Sequence, residues 1–390
     1  MQCSASAIWD EGYLAYDFGE HPMNPVRLEL TIRLARELGV LDRLDVVPPK
    51  PADEQQLLTV HAADYIDAVR TAGGDPGFSG YGLGTDDDPV FPGIYEASAL
   101  IAGGSAIAAR QVWDGHVQHA VNIAGGLHHA MPGYASGFCV FNDVVLAIRT
   151  LLAEGALKVA YVDVDVHHGD GVQAAFYDDP RVLTISLHQD PRTLFPGTGQ
   201  PSELGRGDAE GTSVNVALPP GTGDSGWLRA FHAVVPGAVR AFGPDVLVTQ
   251  CGCDTHHEDP LANLELSVDG QRAAIGALHR LAHEAADGRW VAFGGGGYGL
   301  IRCVPRTWTH LLAEATGVPV APETLVPDGW IGHLRGRGVS GELPRTMGEG
   351  RQPRYEPWMS DGESWLDRAI GATRNAAFPL LGLDPDDPRD

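Results

Sequence analysis

The segment YVDVDVHHGDG (161–171) holds the densest run of side chains able to do chemistry. An extended backbone alternates its side chains between two faces, so Asp163, Asp165 and His167 point one way and Val162, Val164 and Val166 the other. The apolar flanks make this a buried, central strand. Burying an unpaired carboxylate costs several kcal/mol, so such a row requires a metal ion or a hydrogen-bond network. Mixed carboxylate and imidazole ligation suits Zn²⁺, Fe²⁺, Mn²⁺ or Co²⁺ better than Ca²⁺ or Mg²⁺, which prefer oxygen shells, and zinc and iron lead. A further ligand must come from another strand end. Asp254, in TQCGCDTHHEDP (249–260), sits just past an apolar strand and is placed for it. Three protein ligands leave a coordination position for water and substrate. The neighbouring His256 and His257 are rival ligands, although loop histidines are more commonly solvated or substrate-facing.

Two further stretches carry chemistry. In NIAGGLHHAMPGYASGFCVFND (122–143), the tandem His128-His129 follows an apolar, strand-like segment and a double glycine. Imidazole titrates near neutral pH, so an adjacent pair beside a metal site suggests general acid and base. FGGGGYGL (293–300) formally satisfies G-x-G-x-x-G at Gly294, Gly296 and Gly299. A dinucleotide site would also need an acidic residue about 20 positions on, at the end of a second strand. The candidate, Glu314, lies in the helix-like HLLAEATG, so the glycines are read instead as letting backbone approach a ligand and presenting Tyr298 at a strand end.

The elements that position these residues follow from an alternation of apolar runs and helix-like stretches. Strands are predicted over 158–166, 181–188, 245–252 and 289–297, and helices over 94–111, 143–154, 228–242 and 270–287. That pattern predicts an α/β fold with a mostly parallel sheet, whose chemistry gathers at the C-terminal strand ends. From about Val318 periodicity weakens and proline, glycine and charge are dispersed, so 1–318 is read as the catalytic domain and 319–390 as an appendage packed on it or trailing from it. The last residues, LLGLDPDDPRD, are expected to fray.

Composition narrows the function classes. With 51 acidic against 27 basic residues and a net charge of -24, the chain repels a nucleic-acid backbone. No basic, apolar leader pattern and no run of about 20 apolar residues is visible, which predicts a soluble cytoplasmic protein with no membrane partner. Five cysteines without a C-x-x-C pair read as reduced core thiols rather than ligands.

Taken together, the blocks HPMNPVRL (21–28), DDDPVFPG (86–93), GGLHHA (125–130), SGFCVFND (136–143), DVDVHHGDG (163–171), SLH (186–188), LFPGTG (194–199), CDTHHEDPL (253–261) and GGGGY (294–298) resemble those of the histone deacetylase superfamily. The resemblance runs in order over roughly residues 9 to 310, and is strongest to the bacterial acetoin-utilisation branch of AcuC type, itself similar to class I enzymes. It implies a single arginase/deacetylase-like domain. It further implies that Asp165, His167 and Asp254 are the metal ligands, which leaves Asp163 behind His128 and pairs Asp170 with His129. His129 would then act as general base and later as general acid, with Tyr298 donating to the oxyanion.

The same resemblance makes Gly137, Phe138, Phe195 and Leu261 the walls of an acyl-lysine tube, Asp87 a rim acceptor for substrate backbone, and Arg27 a guide for departing acetate. Backbone oxygens near Asp163, Asp165, His167, Ser186 and Leu187 match a structural K⁺ site. Gly299 departs from the asparagine common after the tyrosine, and His256, His257 and Glu258 are more charged than in eukaryotic relatives.

The activity so implied is zinc- or iron-dependent deacetylation of N6-acetyl-lysine in proteins, with an acyl-CoA synthetase as a candidate partner. The alternatives are deacetylation of small acetylated amines such as acetylpolyamines, and a non-catalytic acyl-lysine binding protein. An arginase-like binuclear hydrolase would need carboxylates where the histidine pair stands, and would show two transition-metal ions per chain.

Overall fold

In the computed structural model, which describes residues 3–390, the apolar runs pair into one sheet. Its strands are β1 (Ala5–Ile8), β2 (Asp45–Val47), β3 (His119–Asn122), β4 (Val159–Asp163), β5 (Val182–Gln189), β6 (Ser213–Leu218), β7 (Val246–Gln250) and β8 (Trp290–Phe293). They lie in the order β2-β1-β3-β8-β7-β4-β5-β6, all paired in parallel. The helices are α1 (Val26–Glu37), α2 (Glu54–Leu57), α3 (Ala63–Ala72), α4 (Ile94–Trp113), α5 (Asp143–Ala153) and α6 (Asp170–Phe176). They continue with α7 (Asp224–Phe242), α8 (Val268–Ala285), α9 (Val304–Ala315), α10 (Asp328–Gly336) and α11 (Trp365–Leu381).

Parallel strands are buried on both faces, and the period-two alternation divides their side chains between two cores. Val159 and Tyr161 of β4, Val246 and Val248 of β7, and Val291 and Phe293 of β8 pack with α4, α5 and α6. Ala160, Val162, Leu247, Trp290 and Ala292 face the larger core, which takes Leu28 and Ile32 of α1, Phe231 of α7, Leu278 of α8 and Trp308 of α9. The predicted strands and helices are present with shifted bounds. Three strands stop early, at Asp163, Gln250 and Phe293, because the residues beyond them leave the ladder to turn groups into the site. The apolar runs did not mark β1, β2 or β6; β1 has 4 residues and β2 only 3.

Residues beyond 318 pack in two places. Trp330 and Leu334 of α10, with Met347, join Leu30 and Leu34 of α1 in a small apolar cluster. The helix α11 lies along β6 and α7, covering that edge of the sheet and burying Ile370, Ala377 and Phe378 in the main core. The end of the chain does not fray as expected. Arg374, fully buried, donates to the carbonyl oxygens of Asp384, Pro385, Asp387 and Asp390 and so gathers the last turns around itself. Phe378→Ala should therefore cost about 3–5 kcal/mol in a chemical denaturation experiment; a loss below about 1 kcal/mol would mean that α11 is only loosely attached.

Candidate active site

The row Asn122, Phe293, Gln250, Asp163, Ser186 runs across five neighbouring strands in register and closes the ladder at its C-terminal edge. Just past it the chain segments 125–129, 294–298, 251–254 and 164–170 converge, so every residue singled out for chemistry leaves the sheet at one place. His167 Nδ1 stands 3.2 Å from Asp165 Oδ1 and 3.2 Å from Asp254 Oδ2. The outer carboxylate oxygens are already held: Asp165 Oδ2 accepts from Gln250 Nε2 (2.7 Å) and the Gly296 amide (2.8 Å), and Asp254 Oδ1 from the Val166 amide (2.9 Å). One oxygen of each carboxylate and one ring nitrogen are left facing a common point.

Asp163 is not part of that cluster. Its Oδ2 accepts from the Tyr161 hydroxyl (2.6 Å) and faces His128 Nδ1 (2.7 Å), and its Oδ1 accepts from the Asp165 amide.

The electrostatics of the trio favour a cation. Burial and the charge of Asp165 push Asp254 up to about 8. Burial works against a charge on His167, yet the two carboxylates outweigh it and hold the imidazole up to about 10. A buried pocket with two carboxylates is thus short of positive charge, and two oxygens with one imidazole nitrogen fit a borderline divalent metal.

Each histidine of the tandem is fixed by its own carboxylate: His128 Nδ1 by Asp163, and His129 Nδ1 by Asp170 Oδ1 at 2.7 Å, from the first turn of α6. The two Nε2 atoms are 3.0 Å apart. The turn that carries the pair is set by residues sequence reading missed. Asp143 accepts from the Gly126 and Leu127 amides, and Asn142 Nδ2 donates to the His128 and Ala130 carbonyls. Environment drives the pair apart: burial opposes a charge on His128, but Asp163 and Asp165 overcome it and raise the ring to about 9. Burial and the charged His128 lower His129 to about 4. His129 is therefore neutral, with Nδ1–H held by Asp170 and its Nε2 lone pair turned inward.

Two of the four glycines let backbone close against the side chains of the site. A Cβ on Gly296 would lie 2.0 Å from Asp254 Oδ2, and one on Gly295, whose φ is +120°, 2.0 Å from Gln250 Nε2. They are followed by Tyr298, whose amide donates to Asp259 Oδ2 (2.8 Å). Burial raises the Tyr298 phenol well above its usual range, so it remains an O–H donor.

A pocket of about 210 Å³ descends to His129, His167 and Tyr298 between Gly137, Phe138, Leu194, Phe195 and Leu261, with Asp87 at its mouth. Gly137 and Phe138 both adopt left-handed backbone (φ 56° and 69°), which turns the Phe138 ring edge-on to Tyr298. Asp87 is exposed, whereas Asp88 is turned inward and pushed up to about 8 by burial and the charge of Asp87. Arg27 is buried behind the glycine loop, donating to the Gly295 and Gly297 carbonyls with its guanidinium over Trp308. Ser186 and Leu187 lie buried on β5, with Ser186 beside Asp163.

One expectation is corrected. His256 is neither solvated nor turned to the pocket: it is buried, 3.1 Å from Glu349 Oε1, an oxygen that also pairs with Arg306. Glu349 comes from far along the chain, which is why the local sequence could not show it. Leu194, Gln250 and Asp259 were also missed; the one signal for Gln250 was a polar residue ending an apolar strand.

A neutral base, a phenolic donor and a metal-type donor set at the floor of an apolar tube suit attack on an uncharged amide, and with the parallel sheet they define an α/β domain of the deacetylase type. Comparison with known proteins agrees. The histone deacetylase domain matches residues 21–315. The acetoin utilization protein AcuC of Bacillus subtilis (strain 168) is 43% identical over 329 residues, 83% of this chain and 84% of that protein. Those of Staphylococcus aureus (strain MSSA476) and Staphylococcus xylosus are 35% and 34% identical, over 83% and 85% of this chain and 84% and 87% of theirs. The chain belongs to the histone deacetylase family, a family of metal-dependent enzymes. Among the described residues, no helix is long and apolar enough to cross a membrane.

The tube depends on a glycine. A Cβ on Gly137 would sit 2.6 Å from His129 Cδ2 and 2.9 Å from Phe195 Cε1. Gly137→Ala should displace that imidazole and lower kcat/KM for an acetylated amide substrate about 10²-fold, with a lowered Tm because the left-handed backbone at 137 strains a side chain; an unchanged kcat/KM would show that the walls tolerate the shift.

Proposed function

We propose that the chain hydrolyses the acetamide of N6-acetyl-lysine in cytoplasmic proteins, releasing acetate and free lysine. The observation that carries this reading is the tube walled by Gly137, Phe138, Leu194, Phe195 and Leu261 and ending on His129 and Tyr298, a lining that suits the aliphatic stem of an acylated lysine. Asp165, His167 and Asp254 would hold Zn²⁺ or Fe²⁺. Such an ion, when bound, acts as a Lewis acid on the amide carbonyl and lowers the pKa of a water, to about 7 for zinc.

The remaining steps belong to the chain's own groups. Neutral His129, oriented by Asp170, takes a proton from the attacking water through Nε2. The Tyr298 hydroxyl donates to the oxygen as it gains charge. His129 then returns the proton to the leaving amine. Asp163 fixes His128, whose positive charge keeps His129 unprotonated until the water gives up its proton. Asp87 would accept from the substrate backbone at the mouth, Arg27 would guide acetate out, and the backbone around Asp163, Asp165, His167, Ser186 and Leu187 would hold a structural K⁺. An acyl-CoA synthetase acetylated on a lysine is the candidate protein partner.

A second reading, deacetylation of an acetylpolyamine, is favoured by the net charge of -24 and by exposed Asp86 and Asp87 at the mouth, which would draw in a polycation. Comparing acetate release from an acetyl-lysine peptide and from acetylspermidine separates the two. The protein reading predicts the higher kcat/KM for the peptide; a clear preference for acetylspermidine would reverse the assignment. Tyr298→Phe should lower kcat about 10²–10³-fold while leaving the metal content unchanged, and wild-type turnover in that variant would remove the phenol from the mechanism.

A further inference from the structure

At the other end of the sheet, a second set of metal-type ligands meets. His119 opens β3, Cys3 precedes β1, and His279 and His283 lie one turn apart on α8, with His279 stacked on Trp290, the first residue of β8. We propose that Cys3, His119, His279 and His283 form a tetrahedral Zn²⁺ site, a structural ion at the N-terminal strand ends, distinct from the catalytic centre at the C-terminal ends.

Three of the four ligand atoms stand at the distances of a tetrahedral shell, with His119 Nε2 close by. Around zinc, with Zn–N of about 2.0–2.1 Å and Zn–S of about 2.3 Å, ligand nitrogens stand about 3.3 Å from one another and about 3.6 Å from sulfur. Here His279 Nε2 and His283 Nε2 are 3.1 Å apart, and Cys3 Sγ is 3.8 and 3.6 Å from them. All four ligand atoms lie within 4.8 Å of one another.

Proton bookkeeping favours a cation over hydrogen bonds. His119 Nδ1 faces the Ala315 carbonyl at 2.6 Å, and His279 Nδ1 faces Glu314 Oε1 at 2.9 Å. Both partners can only accept, so each Nδ1 carries a hydrogen and turns its ring's Nε2 toward the cluster. His119 Nε2 is buried, and no hydrogen-bond partner satisfies it. That nitrogen converges with a thiol and two further imidazole nitrogens, and a zinc ion satisfies it. The outer contacts, a carbonyl behind one ring and a carboxylate behind another, are those that fix the tautomer of metal-bound histidine. Binding takes the Cys3 thiolate and releases its proton to solvent. Cys139, Cys251, Cys253 and Cys303 are buried and unbridged as expected of core thiols, whereas this reading makes Cys3 a ligand.

The reading does not depend on how the catalytic centre works, and its test uses the one feature the catalytic trio lacks, sulfur. The full chain, tagged only at its C-terminal end, is analysed for zinc and, after exchange to Co²⁺, by absorption spectroscopy, alongside Cys3→Ser and His283→Gln. The wild type should hold one more zinc ion per chain than either variant, with acetate release retained. The thiolate-to-cobalt charge-transfer band should be present in the wild type and absent from Cys3→Ser. A wild type that holds no more zinc than Cys3→Ser overturns the site. So do two ions without a thiolate band, which would be the mark of a binuclear catalytic centre, or a band that survives in Cys3→Ser.

Discussion

Two carboxylates, Asp165 and Asp254, are buried side by side against one imidazole, and the architecture around them is arranged to make that tolerable. Burial and the like charge of Asp165 drive one proton back on, which is why Asp254 is pushed up to about 8 without a cation. The protein meets this by tying down the outer oxygens with Gln250, the Gly296 amide and the Val166 amide, so that only the inner ones face the common point. Those donors come from three neighbouring chain segments, which requires β4, β7 and β8 to end in register. It also requires glycine at 295 and 296, where a side-chain carbon would collide with Gln250 and Asp254.

The histidine pair uses the same field. Asp163, excluded from the inner cluster, supports the charge on His128, and that charge with burial leaves His129 neutral. A single row of acidic residues on one strand end thus serves two purposes, inner ligand and histidine support, separated by two residues of chain. The apolar walls above it admit a neutral chain end and keep the floor dry. At the opposite end of β1, β3 and β8, histidines and a cysteine converge, so the two ends of one sheet carry the two clusters.

Much of this was legible because it is local. A strand alternates by two, so Asp163, Asp165 and His167 could be placed together, and the apolar runs gave the strands that carry most of the site. Local pattern could not say which of the three acids and imidazoles meet; that needed either the family resemblance or the bend after Asp163. Nor could it place His256, whose partner Glu349 lies 93 residues away, or Asp143 and Asn142, whose contacts hold the turn of the histidine pair. The 319–390 segment has weak periodicity because α10 and α11 each bury only a narrow stripe, and the acidic tail is ordered by one buried arginine rather than by a pattern of its own. The cluster at the N-terminal strand ends was invisible for the same reason: its members are dispersed from residue 3 to residue 283 and meet only in the folded chain.

The most direct test of the central claim is anomalous diffraction from crystals of the metal-loaded protein, recorded at the absorption edge of the ion. The account predicts a peak between Asp165 Oδ1, His167 Nδ1 and Asp254 Oδ2, with ligand distances of about 2.0–2.2 Å and Asp163 outside the shell. A peak coordinated by His128 and His129, or the absence of any ion among Asp165, His167 and Asp254, would contradict it.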